Sequence, residues 1–177
     1  MPIIIRRTYA ILAITLLGCL SSTASDASEV TKADKVKAAI VYKLTKFITW
    51  PEKRQTLALC IIGSGAINSE LLKINHKFSM GRRISVTHKT PTAPLEKLCD
   101  MVYIHNTKMD RISEVINKLQ NKPVVTISDS ENFVYQGGVI GLFRTGSRIR
   151  FAISHSATRN AGISISSQLM GLAKTVK

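Results

Sequence analysis

Acidic residues are scarce in this sequence: Asp and Glu together number 11 against 25 Lys and Arg, for a formal net charge of +14 over 177 residues. They are also scattered, so no pair of carboxylates is spaced for acid and base work. Cysteine occurs only at Cys19, Cys60 and Cys99, with no CxxC pair. His76, His88, His105 and His155 never stand two or four residues from one another, so a zinc site is unsupported. The chain has no GxSxG elbow for a serine nucleophile. Its one Gly-rich turn, Gly63-Ser64-Gly65, has Asn68 where a dinucleotide fingerprint needs glycine, and reads as a tight structural turn. Nothing here nominates a catalytic residue, a cofactor or a metal ligand.

What is present begins at the N-terminus. Arg6 and Arg7 precede the apolar run Tyr9 to Leu17, and small residues follow from Ser21 to Ala27. That is the three-part layout of a secretory signal over residues 1–27, with a run too short to span a bilayer. Leu16-Leu17-Gly18-Cys19 also resembles a lipobox, which would make Cys19 a lipidated first residue. On either reading, residues 28–177 form one domain outside the cytoplasm. Export makes nucleic acid a poor partner despite the charge, and the basic residues are spread out rather than gathered into a stripe with interleaved aromatics. The excess then reads as a solvated basic surface, or as attraction to an acidic partner or anionic lipid.

In an oxidising compartment Cys60 and Cys99 are candidates to pair. Each lies in or beside an apolar run, Leu57 to Ile62 and Met101 to Ile104. If those strands are neighbours, the bridge closes a loop of about 40 residues and contributes about 4 kcal/mol in the chain-entropy account. Two inert buried thiols are the alternative.

Apolar positions Ala33, Val36, Ile40, Leu44 and Phe47 predict a first helix over Thr31 to Phe47, stopped by Trp50-Pro51. Trp50, the single tryptophan, either closes the core or stacks on a ligand or partner. Leu57 to Ile62, Arg83 to His88, Met101 to Ile104 and Val124 to Ile127 read as strands, and Ala66 to Ile74 and Asp110 to Leu119 as helices. Val139 to Phe143 and Ile149 to Ile153 form a hairpin around Gly146, with Arg148 and Arg150 alternating with Ile149 and Phe151 so that one side is basic. A helical turn at Ala157 to Ala161 and a final helix with Leu169, Leu172 and Val176, capped by Ser166 or Ser167, close the chain. The pattern predicts a single three-layer α/β sandwich: a mostly parallel sheet, flanking helices, and the antiparallel C-terminal hairpin as its edge.

Several motifs then fall in register. Val36-Lys37-Ala38-Ala39 with Tyr42-Lys43 ahead of Trp50-Pro51, Leu59-Cys60-Ile61, Gly81-Arg82-Arg83-Ile84, Cys99-Asp100, Val124 to Asp129, Gly137-Gly138-Val139-Ile140, Arg148 to Phe151, and Ala161-Gly162-Ile163 with Ser166-Ser167-Gln168-Leu169 resemble the YfiR family of periplasmic proteins. The resemblance runs in order from about residue 35 to 174. It implies a regulator rather than an enzyme, one that binds the periplasmic domain of an inner-membrane diguanylate cyclase and represses it, lowering cyclic di-GMP and biofilm growth. It also implies that Cys60 and Cys99 form the family's core disulfide. Some members carry a second cysteine pair around the hairpin, and this sequence has none there.

On this reading the partner meets Arg148, Arg150 and Phe151 of the hairpin together with Ile163 and Leu169 of the following segment. Other membrane sensors and a second copy of the chain are further candidate partners. The competing expectation is a periplasmic small-molecule sensor with its pocket at Trp50, or an accessory protein for a sensor kinase or outer-membrane receptor.

Overall fold

The computed structural model describes residues 30–52, 54–105 and 109–176, so the signal-peptide and Cys19 readings lie outside the described residues. The chain enters helix α1 (Lys32–Leu44) through a reciprocal cap: Thr31 Oγ1 accepts from the Asp34 N–H at 3.2 Å, and Asp34 Oδ2 accepts from the Thr31 N–H at 2.9 Å. Strands β1 (Ile48–Thr49) and β2 (Thr56–Ile62), helix α2 (Ile67–Leu72), strands β3 (Phe78–Ser79) and β4 (Arg82–His88), and helix α3 (Leu95–Leu98) follow. Next come β5 (Met101–Ile104), α4 (Met109–Leu119), β6 (Val125–Ser128) and a 3₁₀ turn at Glu131–Gln136. β7 (Ile140–Thr145), β8 (Arg148–Ser154), α5 (His155–Asn160), β9 (Ser164–Ile165), α6 (Ser167–Leu172) and β10 (Lys174–Val176) complete the chain.

Eight strands form one sheet in the order β10-β8-β7-β6-β5-β2-β4-β3, parallel from β7 through β4, while β1 and β9 pair separately as a small antiparallel ribbon. The central parallel strands β2 and β5 are apolar on both faces because both faces are covered. Leu57, Leu59, Ile61 and Tyr103 point to a core closed by Ala38, Val41 and Leu44 of α1. Cys60, Ile62, Val102 and Ile104 point the other way, against Ile112, Val115, Ile116 and Leu119 of α4. The three-layer sandwich follows from this period-two split of each strand. A Cys60–Cys99 disulfide lies in the second core and ties β2 to the end of α3.

Two predicted elements need correction. α1 stops at Leu44, where the Thr45 hydroxyl bonds the Tyr42 carbonyl and the Ser79 hydroxyl, both at 2.6 Å. Its buried face is Ala38, Val41 and Leu44, and Val36, placed on the apolar stripe by spacing, is 40% exposed. The last helix ends at Leu172, and Lys174–Val176 is a strand that pairs in parallel with Ala152–Ser154, so the hairpin is not the edge of the sheet. Leu169, Leu172 and Val176 share a helical period, but Gly171 weakens the helix and Thr175 and Val176 favour an extended chain beside an unpaired strand.

Tyr103 is wholly buried beneath α1, close to a half-buried ion pair between Lys37 and Asp129 at 3.6 Å. Burial, then the charges of Asp129 and Asp34, push its phenol far above the ordinary value. The stability this gives is complete below about pH 10, and is lost as pH rises further because the unfolded chain ionises first. In an alkaline titration the Tyr103 phenolate band therefore appears together with loss of the far-UV circular dichroism signal, and Tyr103→Phe moves the alkaline unfolding midpoint upward. Ionisation of Tyr103 at full secondary structure would contradict this.

Candidate partner-binding site

The hairpin is built by register. Leu142 faces Phe151, Phe143 faces Arg150, Arg144 faces Ile149 and Thr145 faces Arg148, with Gly146 at φ +58 making the turn. Ile153 lies in the α1-side core, and Phe151 packs partly against it. Arg148 and Arg150 stand on the opposite face and are exposed, as the alternation predicts. Neither has a carboxylate within ion-pair distance among the described residues, whose salt bridges join Lys37 to Asp129, Lys73 to Glu70, Arg82 to Asp100 and Lys174 to Glu131. The hairpin thus carries two fixed positive charges that no ion pair among the described residues uses.

The rest of the sequence-predicted surface is arranged differently. Ile163 and Leu169 are each 5% exposed and belong to the α1-side core. They cannot meet a partner in this conformation; burying them holds the β9–α6 segment down. Ser164–Ile165 between them is tied to Ile48–Thr49 by the β1–β9 ribbon.

Trp50 is also internal. Its indole Nε1 donates to the Asp100 carbonyl at 2.9 Å, and the Arg82 guanidinium lies 5.5 Å from the ring centroid. Trp50 lines a depression of about 260 Å³ with Lys46, Arg54 and Arg82, so a ligand there would meet cations. Asp100, which has no distinguishing local pattern beyond its place in a shared motif, is the centre of this region. Its buried carboxylate accepts from the Ala58 N–H at 2.7 Å and from Arg82 Nη2 at 3.1 Å, while Arg82 also donates to the Thr56 carbonyl at 2.9 Å. One carboxylate thereby joins the N-terminal ends of β2, β4 and β5.

The strand order reverses at β2, and ligands in sheets of this kind bind at the carboxyl ends of the strands flanking such a reversal. Here the His105 ring lies directly over Gly65, where any Cβ would collide with it, so the glycine turn is packed closed. No group of three His, Cys, Asp or Glu side chains among the described residues is placed to hold a metal ion.

Comparison with known proteins agrees with this architecture. A profile of the YfiR/HmsC-like family matches residues 34–174. Among solved structures, a conserved domain protein from Vibrio cholerae superposes with a TM-score of 0.60 at 10% identity, over 81% of this chain and 60% of that one. An ABC domain from Streptococcus pneumoniae, solved in complex with L-Trp, gives 0.54 at 14% identity, over 77% of this chain and 59% of that one. The chain thus spans about 60% of the length of either solved protein, and at these identities the likeness is one of fold.

Proposed function

Because this chain belongs to the YfiR/HmsC-like family, we propose that it is an exported regulatory protein that binds the periplasmic domain of an inner-membrane diguanylate cyclase and holds it inactive. Cyclic di-GMP stays low while the two are joined, and release favours biofilm growth. The observation that carries this reading is the family match, which covers nearly the whole folded domain. The hairpin supports it, since Arg148 and Arg150 are exposed and without carboxylate partners among the described residues, as a surface for an acidic partner requires. The protein acts in this role by binding and not by catalysis.

The test is a binding measurement between the mature protein and the periplasmic domain of an inner-membrane diguanylate cyclase of the same organism. Reversing both charges, Arg148→Glu with Arg150→Glu, is expected to weaken binding by about tenfold or more, and the loss should shrink as salt screens the wild-type complex. Cells carrying the double variant should show raised cyclic di-GMP. Unchanged affinity would remove the hairpin from the interface, and no binding by the wild-type protein would remove the cyclase as partner.

A further inference from the structure

β7 borders β8 along its length, whereas on the other side β10 covers only Ala152, Ile153 and Ser154. From Arg148 to Phe151 that second edge has no strand partner among the described residues. The ladder settles which groups it presents. The Ser154 N–H donates to the Val139 carbonyl at 3.0 Å, so Ala152, Arg150 and Arg148, at every second position back, turn their main-chain groups toward β7. Ile149 and Phe151 turn theirs outward, where the parallel pairing of Lys174 with Ala152 engages the Phe151 carbonyl and leaves the Ile149 groups and the Phe151 N–H without a strand partner among the described residues.

A groove flanks this edge on each face. On one, Lys32, Ala33 and Val36 of α1 with Arg144 and Ile149 bound about 720 Å³. On the other, Phe143, Arg150, Leu172 and Lys174 bound about 370 Å³. Val36 and Leu172, 40% and 65% exposed, leave apolar surface on either side of the edge.

We infer that the Arg148–Phe151 edge of β8 is a strand-addition site for an extended segment of the partner in which acidic and apolar residues alternate. This rests on the regulatory reading above and specifies how the partner is held. Main-chain bonds to the Ile149 N–H and carbonyl and to the Phe151 N–H supply affinity, and the alternate side chains supply specificity. On one face of the added strand, carboxylates lie beside Arg148 and Arg150; on the other, apolar side chains enter the groove at Ile149 and Val36. A second copy of the chain fits poorly, because antiparallel edge pairing would set arginines against arginines.

The experiment is Ile149→Pro. Proline there removes an outward N–H and leaves the β7 ladder intact, so folding should be retained. Affinity for the cyclase periplasmic domain is expected to fall by about tenfold or more. In the wild-type protein, the Ile149 and Phe151 amides should exchange rapidly when free and slowly once the domain is added, a readout that does not depend on the variant folding. If the domain binds the wild type but Ile149→Pro binds equally well and the two amides stay fast, the edge assignment is overturned while the regulatory reading stands. If the domain does not bind the wild type, the regulatory reading fails, and a synthetic peptide alternating Glu and Val decides the edge. Protection of the two amides by that peptide supports the site, and lack of protection overturns it. Slow exchange in the free protein would mean that the chain's own N-terminal segment or a second copy already occupies the edge, which also overturns it.

Discussion

Asp100→Ala should destabilise the domain by about 3–5 kcal/mol, the range for breaking a buried ion pair by removing one partner. The carboxylate is 5% exposed and the Arg82 side chain 15%, so water cannot replace what is lost. Two consequences combine. The Ala58 N–H loses its acceptor at 2.7 Å, and the guanidinium keeps only the Thr56 carbonyl for a charge held beside Trp50. Asp100→Asn keeps an acceptor for Ala58 and should cost less. Removing the stranded charge as well, in Asp100→Ala with Arg82→Met, should recover part of the loss, a coupling that a double-mutant cycle by urea denaturation measures. A cost under about 1 kcal/mol for Asp100→Ala would show that the strand ends are held together without the carboxylate.

The second large effect is that of the disulfide. Replacing Cys60 and Cys99 by alanine should cost about 4 kcal/mol, because the bridge closes a loop with a sequence separation of 39 in the unfolded chain. For a domain of this size that is about 8–16 °C in melting temperature. Reducing the wild-type protein should produce nearly the same drop, and reductant should leave the double variant unchanged. The packing loss is small by comparison, since both sulfurs sit in an apolar core that alanine also suits. A variant that melts with the oxidised wild type would show that the bridge adds nothing to stability.

These two sites differ in how visible they are from sequence. The cysteines stand out because they are few and lie on apolar runs. Asp100 is one of 11 acidic residues with no local pattern, and its partners are 42 and 18 residues away. A carboxylate that joins three strand ends becomes recognisable only when those strands are neighbours. The hairpin shows the same division within one stretch. That Arg148 and Arg150 share a face follows from the pleat, and both are exposed as expected. That they lack carboxylate partners among the described residues depends on where the fold brings carboxylates near, and the ion pairs there join Lys37, Lys73, Arg82 and Lys174 instead.

Ile163 and Leu169 mark where local reasoning runs out. Their neighbourhood reads as a surface segment because its elements are short, a six-residue helix, a two-residue strand and another six-residue helix. Elements of that length show no clear period, so their apolar side chains carry no direction until the β1–β9 ribbon pins them against α1. The same holds for Lys174–Val176, whose conformation depends on the vacant side of β8.

From sequence alone came the apolar runs of β2 and β5 and the strand–helix alternation that together predict a covered parallel sheet, the amphipathic α4, the hairpin and the alternation of its arginines. All of these are set by interactions within a few residues of each other along the chain. Only the tertiary structure decided where α1 turns its buried face, that β10 covers half of one side of β8, and that among the described residues the other half, beside two arginines without carboxylate partners, is left open. Pairing between distant segments depends on geometry that local periodicity does not encode, and this open edge is a product of that geometry.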